Sequence, residues 1–266
     1  MAEMTDESRQ PAWPVEIAGI RLELIERGKG RPILFLHPGI GLDPKAPVLD
    51  KLAAQGRLIA PYHPGFGRSD LPATMTTIDD LAYYYLDFLD AWDLQDVLLL
   101  GVSFGAWIAA EIAIKSTARI SRLVMADALG IKVGDRETRD IVDVFAITEK
   151  RFSELAYADA GHARLDYRGA SDAEAKAAAR NREATARFGW SPYMHDPKLK
   201  ERLHRISVPT LVLWGEEDRI VSEDYGRAYA GLIPGARFET LAKAGHFPHI
   251  EQPDDFAKRV FAFAGQ

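Results

Sequence analysis

The chain predicts an α/β domain: a mostly parallel sheet with helices on both faces, interrupted once by an all-helical stretch. Three observations carry this. Pro32–Leu36 (PILFL), Asp96–Val102 (DVLLLGV) and Thr210–Trp214 (TLVLW) are continuous apolar runs bounded by Gly or His, the pattern of strands buried on both faces. Between such runs lie helix-like segments over Ile78–Trp92, Phe104–Ile114, Glu223–Leu232 and Pro253–Phe263, and alternation of this kind builds a parallel sheet. From about Ala128 to Ile206 the alternation stops.

Each element has its own local signal. Met1–Pro14 mixes both charge signs with two prolines and lacks an apolar run of signal-peptide length. It predicts a flexible tail over residues 1–14 on a cytoplasmic protein. Two antiparallel strands are expected next, around Glu16–Ala18 and Arg21–Glu26, with further strands at Leu58–Ala60, Arg122–Met125 and Ala236–Leu241. Residues 15–128 and 206–266 then form the core, and residues 129–205 a helical cap. In the cap Ile141, Val144, Phe145, Phe152 and Leu155 fall on one helical face. Ser171 and Glu174 make a capping box, and Asp196-Pro197 reads as an N-cap with a first-turn proline. A helical insertion of this size is expected to lie over the C-terminal ends of the strands, where open α/β sheets bind ligands.

Composition narrows the function. With 47% hydrophobic and 27% charged residues over 266 positions, the chain is not a disordered one. Lys plus Arg number 33 against 39 Asp plus Glu, a net charge of -6, which gives no footprint for nucleic acid or an anionic membrane. No apolar run reaches the eighteen or so residues a membrane span needs. Cysteine is absent, which excludes disulfides, zinc–thiolate sites, iron–sulfur clusters and thiol nucleophiles. Gly65-Phe66-Gly67 lacks the third glycine of a dinucleotide site, and neither a phosphate-binding loop nor an H-E-x-x-H helix is present. The expectation is a monomer or homodimer that needs no cofactor or metal and acts on a small molecule.

The sharpest feature is Gly101-Val102-Ser103-Phe104-Gly105-Ala106, placed after a buried strand and before a helix. In that setting G-x-S-x-G marks a turn so tight that larger residues two positions either side of the serine would collide. Ser103 is thereby the candidate nucleophile. A serine hydroxyl needs a base within hydrogen-bond reach, and His246, in Ala244-Gly245-His246-Phe247-Pro248-His249, is expected to return to the same sheet edge. His249 is expected as a polar neighbour or surface residue, His63 as structural. His162, His195 and His204 fall in the helical insertion.

The base needs an acid to hold its tautomer. Asp218, in the loop Gly215-Glu216-Glu217-Asp218-Arg219-Ile220-Val221, is the first choice, because Ile220 and Val221 would anchor it inward while Glu216 and Glu217 stay solvated. Asp127, at the end of the Arg122–Met125 run, is its rival. Charge developing on a carbonyl oxygen calls for an oxyanion hole. The N–H of Phe104 is one expected donor. The other comes from His37-Pro38-Gly39-Ile40-Gly41, where Pro38 has no N–H, Gly39 is the first choice and Ile40 the second. Phe145, Trp190, Tyr193, Met194 and Phe247 are the expected lining of a substrate pocket.

With HPGIG at 37–41, PGFGRSD at 64–70, GVSFGA at 101–106, WGEEDRIV at 214–221 and AGHFPHIEQP at 244–253, the chain resembles the α/β-hydrolase superfamily over residues 15 to 266. The resemblance implies an eight-stranded, mostly parallel sheet with a helical cap after the sixth strand, and a Ser103–His246–Asp218 triad. Epoxide hydrolases and haloalkane dehalogenases of that superfamily carry Asp where Ser103 stands. Meta-cleavage-product C–C hydrolases carry Asn before the nucleophile and Trp after the histidine, where this chain has Val102 and Phe247. Tyr62 replaces the usual Asp ahead of the PGFG turn. The pattern looks more like general carboxylesterases and lactonases. Hydrolysis of a small ester or lactone through an acyl-serine is therefore the first expectation. Cleavage of a C–C bond in a ring-fission product is the second, and a slow ligand-binding receptor on the same fold the third.

Overall fold

Eight strands form one sheet in the computed structural model, which describes residues 12–163 and 171–265. They are β1 (Ala12–Ile17), β2 (Ile20–Arg27), β3 (Pro32–Leu36), β4 (Arg57–Pro61), β5 (Val97–Val102), β6 (Ile120–Ala126), β7 (Thr210–Gly215) and β8 (Arg237–Leu241). The spatial order is β1-β2-β4-β3-β5-β6-β7-β8. β2 runs antiparallel to both β1 and β4, and every other pairing is parallel. The runs PILFL, VLLLGV and TLVLWG occupy the middle of the sheet, and all of β5 and β7 is buried. Their lack of alternation follows from having no solvent face.

Helices α1 (Pro47–Ala53), α2 (Ile78–Ala91), α3 (Phe104–Lys115), α7 (Glu223–Gly231), α8 (Pro248–Glu251) and α9 (Pro253–Ala264) complete the core. α2 packs on α3, and α1 on α8 and α9. α3 is buried from Phe104 through Ile114, including Glu111, whose carboxylate pairs with Lys115 at 2.8 Å. That all-round burial is why the helix shows no polar face in the sequence. Register places the functional loops together. Leu36 lies opposite Gly101, Val102 opposite Ala126, and Ala126 opposite Leu213. The chain thus leaves β3, β5, β6 and β7 along one edge at His37, Ser103, Asp127 and Glu216.

Between β6 and β7 lie α4 (Glu149–Ala156), α5 (Asp172–Gly189) and α6 (Leu199–Arg202), with short 3-10 turns at Ala160–His162 and Leu203–Arg205. The capping box at Ser171 and Glu174 opens α5. Four expectations are corrected here. β1 begins at Ala12, inside the expected tail, and residues 1–11 lie outside the described residues. Ala18 sits in the β1–β2 turn at φ 49°, so the first strand stops at Ile17. Ile141 to Phe145 are not helical. Their backbone is paired elsewhere: Ile141 bridges Val221, the Val142 N–H donates to the Ile220 carbonyl, and the Tyr193 hydroxyl bonds both the Val144 N–H and the Val142 carbonyl. Asp196 caps no helix; its carboxylate accepts from the Lys198 N–H, and α6 starts at Leu199. Among the described residues no helix is long and apolar enough to cross a membrane.

Candidate active site

Ser103 occupies the turn between β5 and α3 with φ 54° and ψ -115°, a left-handed conformation that a non-glycine residue adopts only under constraint. The constraint is visible on both sides. A side chain at Gly101 would come within 2.6 Å of the Ala106 backbone, and one at Gly105 within 2.1 Å of the Leu36 carbonyl oxygen. The Ser103 N–H donates to the Ala126 carbonyl at 2.8 Å, tying the turn to β6. Ser103 itself is buried, with 4% of its surface exposed.

The hydroxyl reaches a buried hydrogen-bonded chain. Ser103 Oγ lies 2.8 Å from His246 Nε2, and His246 Nδ1 lies 2.7 Å from Asp218 Oδ2. The second carboxylate oxygen of Asp218 accepts the N–H groups of Ile220 and Val221 at 2.8 and 3.0 Å. Both oxygens are thus engaged and the carboxylate cannot rotate without losing bonds. Glu216 and Glu217 of the same loop are exposed. Asp127 is fully buried at φ 46°, and one oxygen accepts the Gly215 N–H at 2.8 Å. Burial, then the charge of Asp218, pushes its carboxyl well above the usual range. Both effects favour its protonated form behind Asp218. Asp127, Asp218 and His246 are the described residues whose ligand-type atoms cluster, within 4.8 Å of one another. The imidazole bond and two backbone N–H groups engage both oxygens of Asp218, whereas Asp127 Oδ2 is buried with no hydrogen-bond partner among the described residues.

His249 is buried, not on the surface, packed against Phe35, Phe247 and Phe256. Burial, with His246 and His37 nearby, lowers its pKa to about 3. The rings of His37 and His63 lie 3.8 Å apart between centres, tilted by 32°. His63 Nε2 bonds the His37 carbonyl, so its N–H sits there and its Nδ1 accepts from Tyr85 at 2.5 Å. His37 Nε2 accepts the His63 N–H, which leaves Nδ1 to donate to the Pro38 carbonyl. Burial holds His37 down to about 4.

A cavity of about 110 Å³ opens in front of Ser103 and His246. Of the expected lining, Phe145, Tyr193, Met194 and Phe247 face it, together with Gly39, Ile40 and Phe104. Trp190 does not. It is 60% exposed, leans on Phe145 at 5.7 Å and lines a separate surface groove. It is the C-cap residue of α5, with helical backbone angles, and Phe145, against which its ring packs, takes the place on the cavity wall. The N–H groups of Gly39, Ile40 and Phe104 bond no acceptor among the described residues.

Several lining residues escaped sequence reading. Asn181 and Thr185 enter from α5. Of the three cap arginines that the sequence offers as a cation for the site, Arg180, Arg182 and Arg187, Arg182 reaches the wall, crossing the Phe145 ring at 5.1 Å while bonding Glu149 at 3.4 Å. Glu251 is also decisive: its buried carboxylate accepts the N–H groups of Gly245, Ala158 and Asp159. It joins the His246 loop to the chain beyond α4. Arg180 and Arg187 turn away from the cavity, to the carbonyls of Gly65, Ser69, Ala73 and Met75. The signal for α5 was present, since Asn181 and Thr185 share a face four apart, but a buried polar pair on a helix has no period of its own.

A strand–serine–helix turn beside a His–Asp pair at the C-terminal edge of such a sheet is a site known from other proteins, and the model of the Alpha/beta hydrolase family matches residues 33–259. The chain belongs to the alpha/beta hydrolase family. Among curated relatives, it is 27% identical to a dihydrolipoyllysine-residue acetyltransferase component of the acetoin cleaving system from Cupriavidus necator, over 91% of this chain and 66% of that one. It is 26% identical to a 2-hydroxy-6-oxo-6-(2'-aminophenyl)hexa-2,4-dienoic acid hydrolase from Metapseudomonas resinovorans, over 98% and 94%. An esterase from Exiguobacterium antarcticum superimposes with a TM-score of 0.71 at 20% identity, over 96% of this chain and 99% of that one, a likeness of fold.

Proposed function

We propose that this alpha/beta hydrolase cleaves a small carboxylic ester or lactone through an acyl-serine intermediate. The observation that carries the reading is the serine–histidine–aspartate chain opening on an apolar cavity. Ser103 Oγ attacks the carbonyl carbon as its proton passes to His246 Nε2. The negative charge on the carbonyl oxygen is met by the N–H groups of Phe104 and Gly39. The tetrahedral adduct expels the alkoxide, which takes the proton from Nε2. Water then gives a proton to His246 and its oxygen to the acyl carbon, and Ser103 regains its proton as the acid leaves. Asp218 holds the Nδ1–H tautomer and balances the imidazolium. The segment of residues 129–205 serves as the cap that closes the cavity.

Two features favour a neutral, short acyl group. The cavity is smaller than the ~150 Å³ apolar space that takes up benzene. Arg182, a cation on its wall, is paired with Glu149, which also lines the wall. A free carboxylate on the substrate would have to compete with that partner. C–C cleavage of a ring-fission product is the second reading, because the Metapseudomonas resinovorans relative is named as the hydrolase of a 2-hydroxy-6-oxo-dienoic acid. Turnover of both substrate types on one preparation decides between them. Short-chain aryl esters are expected to exceed any ring-fission dienol at least tenfold in kcat/KM, about 1.4 kcal/mol in the transition state. A fluorophosphonate should label Ser103, and Ser103→Ala should abolish both labelling and turnover. A dienol that outperforms every ester overturns the reading.

A further inference from the structure

The loop that would supply an oxyanion donor is not held by the core alone. Gly41 N–H donates to the Pro38 carbonyl at 2.9 Å, and His37 Nδ1 bonds that same carbonyl at 2.8 Å. These bonds orient the peptide between Pro38 and Gly39. The next two peptides are held by α5. Thr185 Oγ1 donates to the Gly39 carbonyl at 2.8 Å, shared with the Asn181 carbonyl one turn back at the same distance. Asn181 Nδ2 donates to the Ile40 carbonyl at 3.2 Å, while its Oδ1 accepts the Gly67 N–H at 3.1 Å. A trans peptide is planar, with N–H opposite C=O. Fixing the Gly39 carbonyl toward Thr185 therefore turns the Ile40 N–H away from α5, and the Ile40 carbonyl does the same for Gly41.

The glycines of the loop fit these two side chains. A Cβ on Gly39 would lie 3.0 Å from the Thr185 methyl and hydroxyl, and one on Gly41 2.1 Å from Asn181 Nδ2. Both polar side chains are buried, at 9% and 8% exposure. They stand on the inner face of an otherwise apolar contact made by Ala184, Phe188 and Gly189. Apolar residues at 181 and 185 would bury as much surface but could not bond the loop carbonyls. α5 is docked independently of them, by Arg180 on Gly65 and Ser69 and by Arg187 on Ala73 and Met75. Asn181 and Thr185 are thus not needed to hold the helix down.

We propose that Asn181 and Thr185 are positioning residues for the oxyanion loop: the peptides they hold carry the Ile40 and Gly41 N–H groups, and the Gly39 N–H, on the peptide before, is steadied because the held Gly39 carbonyl shares its Cα and fixes its ψ. This rests on the acyl-transfer reading above. Their contribution appears when the carbonyl carbon becomes tetrahedral, because donors displaced by a fraction of an ångström still admit the planar substrate.

The test uses the full chain with Thr185→Val, Asn181→Leu and Thr185→Ser, a p-nitrophenyl ester and an alkylboronic acid that forms a tetrahedral adduct on the serine. Thr185→Val and Asn181→Leu are each expected to lower kcat about 10- to 100-fold with KM within about twofold. Boronate affinity should weaken by a similar factor. Thr185→Ser, which keeps the hydroxyl, should restore kcat. Thermal midpoints identify any variant that fails to fold, and Thr185→Ser against Thr185→Val then carries the comparison at a temperature where both are folded. Unchanged kcat and boronate affinity in folded Thr185→Val overturns the inference, as does a loss confined to KM. If the wild type neither hydrolyses esters nor binds the boronate, the acyl-transfer reading has failed instead.

Discussion

Asp218→Asn is a near-isosteric change whose effect follows from four hydrogen bonds. In the wild type one oxygen of Asp218 accepts two N–H groups, from Ile220 and Val221, and the other accepts His246 Nδ1 at 2.7 Å. The asparagine must keep its carbonyl on the two-donor side, because its NH₂ there would leave two buried N–H groups unpaired, at about 1–3 kcal/mol each. The NH₂ is thereby forced against Nδ1, which has to become an acceptor. The ring proton moves to Nε2, 2.8 Å from Ser103 Oγ, and the imidazole can no longer take the serine's proton. The expected loss in kcat is about 10⁴-fold, as found when a triad aspartate is amidated with its geometry intact. That corresponds to ~5.5 kcal/mol. The assay is kcat on an aryl ester near neutral pH, with urea unfolding to show that the variant is native. A folded Asp218→Asn enzyme that loses less than about tenfold would refute the tautomer argument. Asp127→Asn is the matched control: a neutral amide replaces a neutral acid, so kcat should stay within about threefold. A larger loss there than at Asp218 would move the orienting acid to the end of β6.

Asp127 also has a stability signature. The folded state keeps its proton beyond the ordinary value of 3.8, so the wild type loses stability as pH rises from there through the raised folded value, and Asp127→Asn should not. Buried neutral histidines act in the opposite sense. His37 and His249 are held at about 4 and about 3, while the unfolded chain takes up protons near 6.5. Stability is therefore full above 6.5 and falls as pH drops, by roughly 2 kcal/mol per histidine between 6.5 and 5. Urea midpoints at the two pH values read this directly, and an equal slope in His249→Phe would count against it. Gly105→Ala drives a methyl to 2.1 Å from the Leu36 carbonyl oxygen. Loss of more than about 3 kcal/mol in stability is expected, whereas a native thermal midpoint would show that the turn can open.

Much of this was legible along the chain because the signals are short-range. A strand buried on both faces must be apolar at every position, and β5 and β7 are. The serine turn needs small residues two places either side, and Gly101 and Gly105 supply them. The capping box of α5 lies within four residues. Where partners lie far apart in sequence, local pattern misled. The spacing of Ile141, Val144 and Phe145 suits a helix, yet Val221, Ile220 and Tyr193 take their backbone groups into an extended clasp. His249 reads as polar, but α9 and β3 close over it with Phe256 and Phe35.

The sequence by itself determined the sheet, the serine turn and the family, because each depends on residues adjacent in the chain or on the order of motifs. Tertiary structure decided the rest. Asp127 and Asp218 are chemically equal, and only the placement of two backbone N–H groups and of His246 makes one the imidazole's partner and the other a buried carboxyl whose surroundings favour the protonated form. Trp190 and Tyr193 are three apart, yet one turns outward and the other lines the cavity. Asn181 and Thr185 meet Gly39 and Ile40 across more than a hundred residues, since hydrogen-bond geometry depends on distance in space and not on position along the chain.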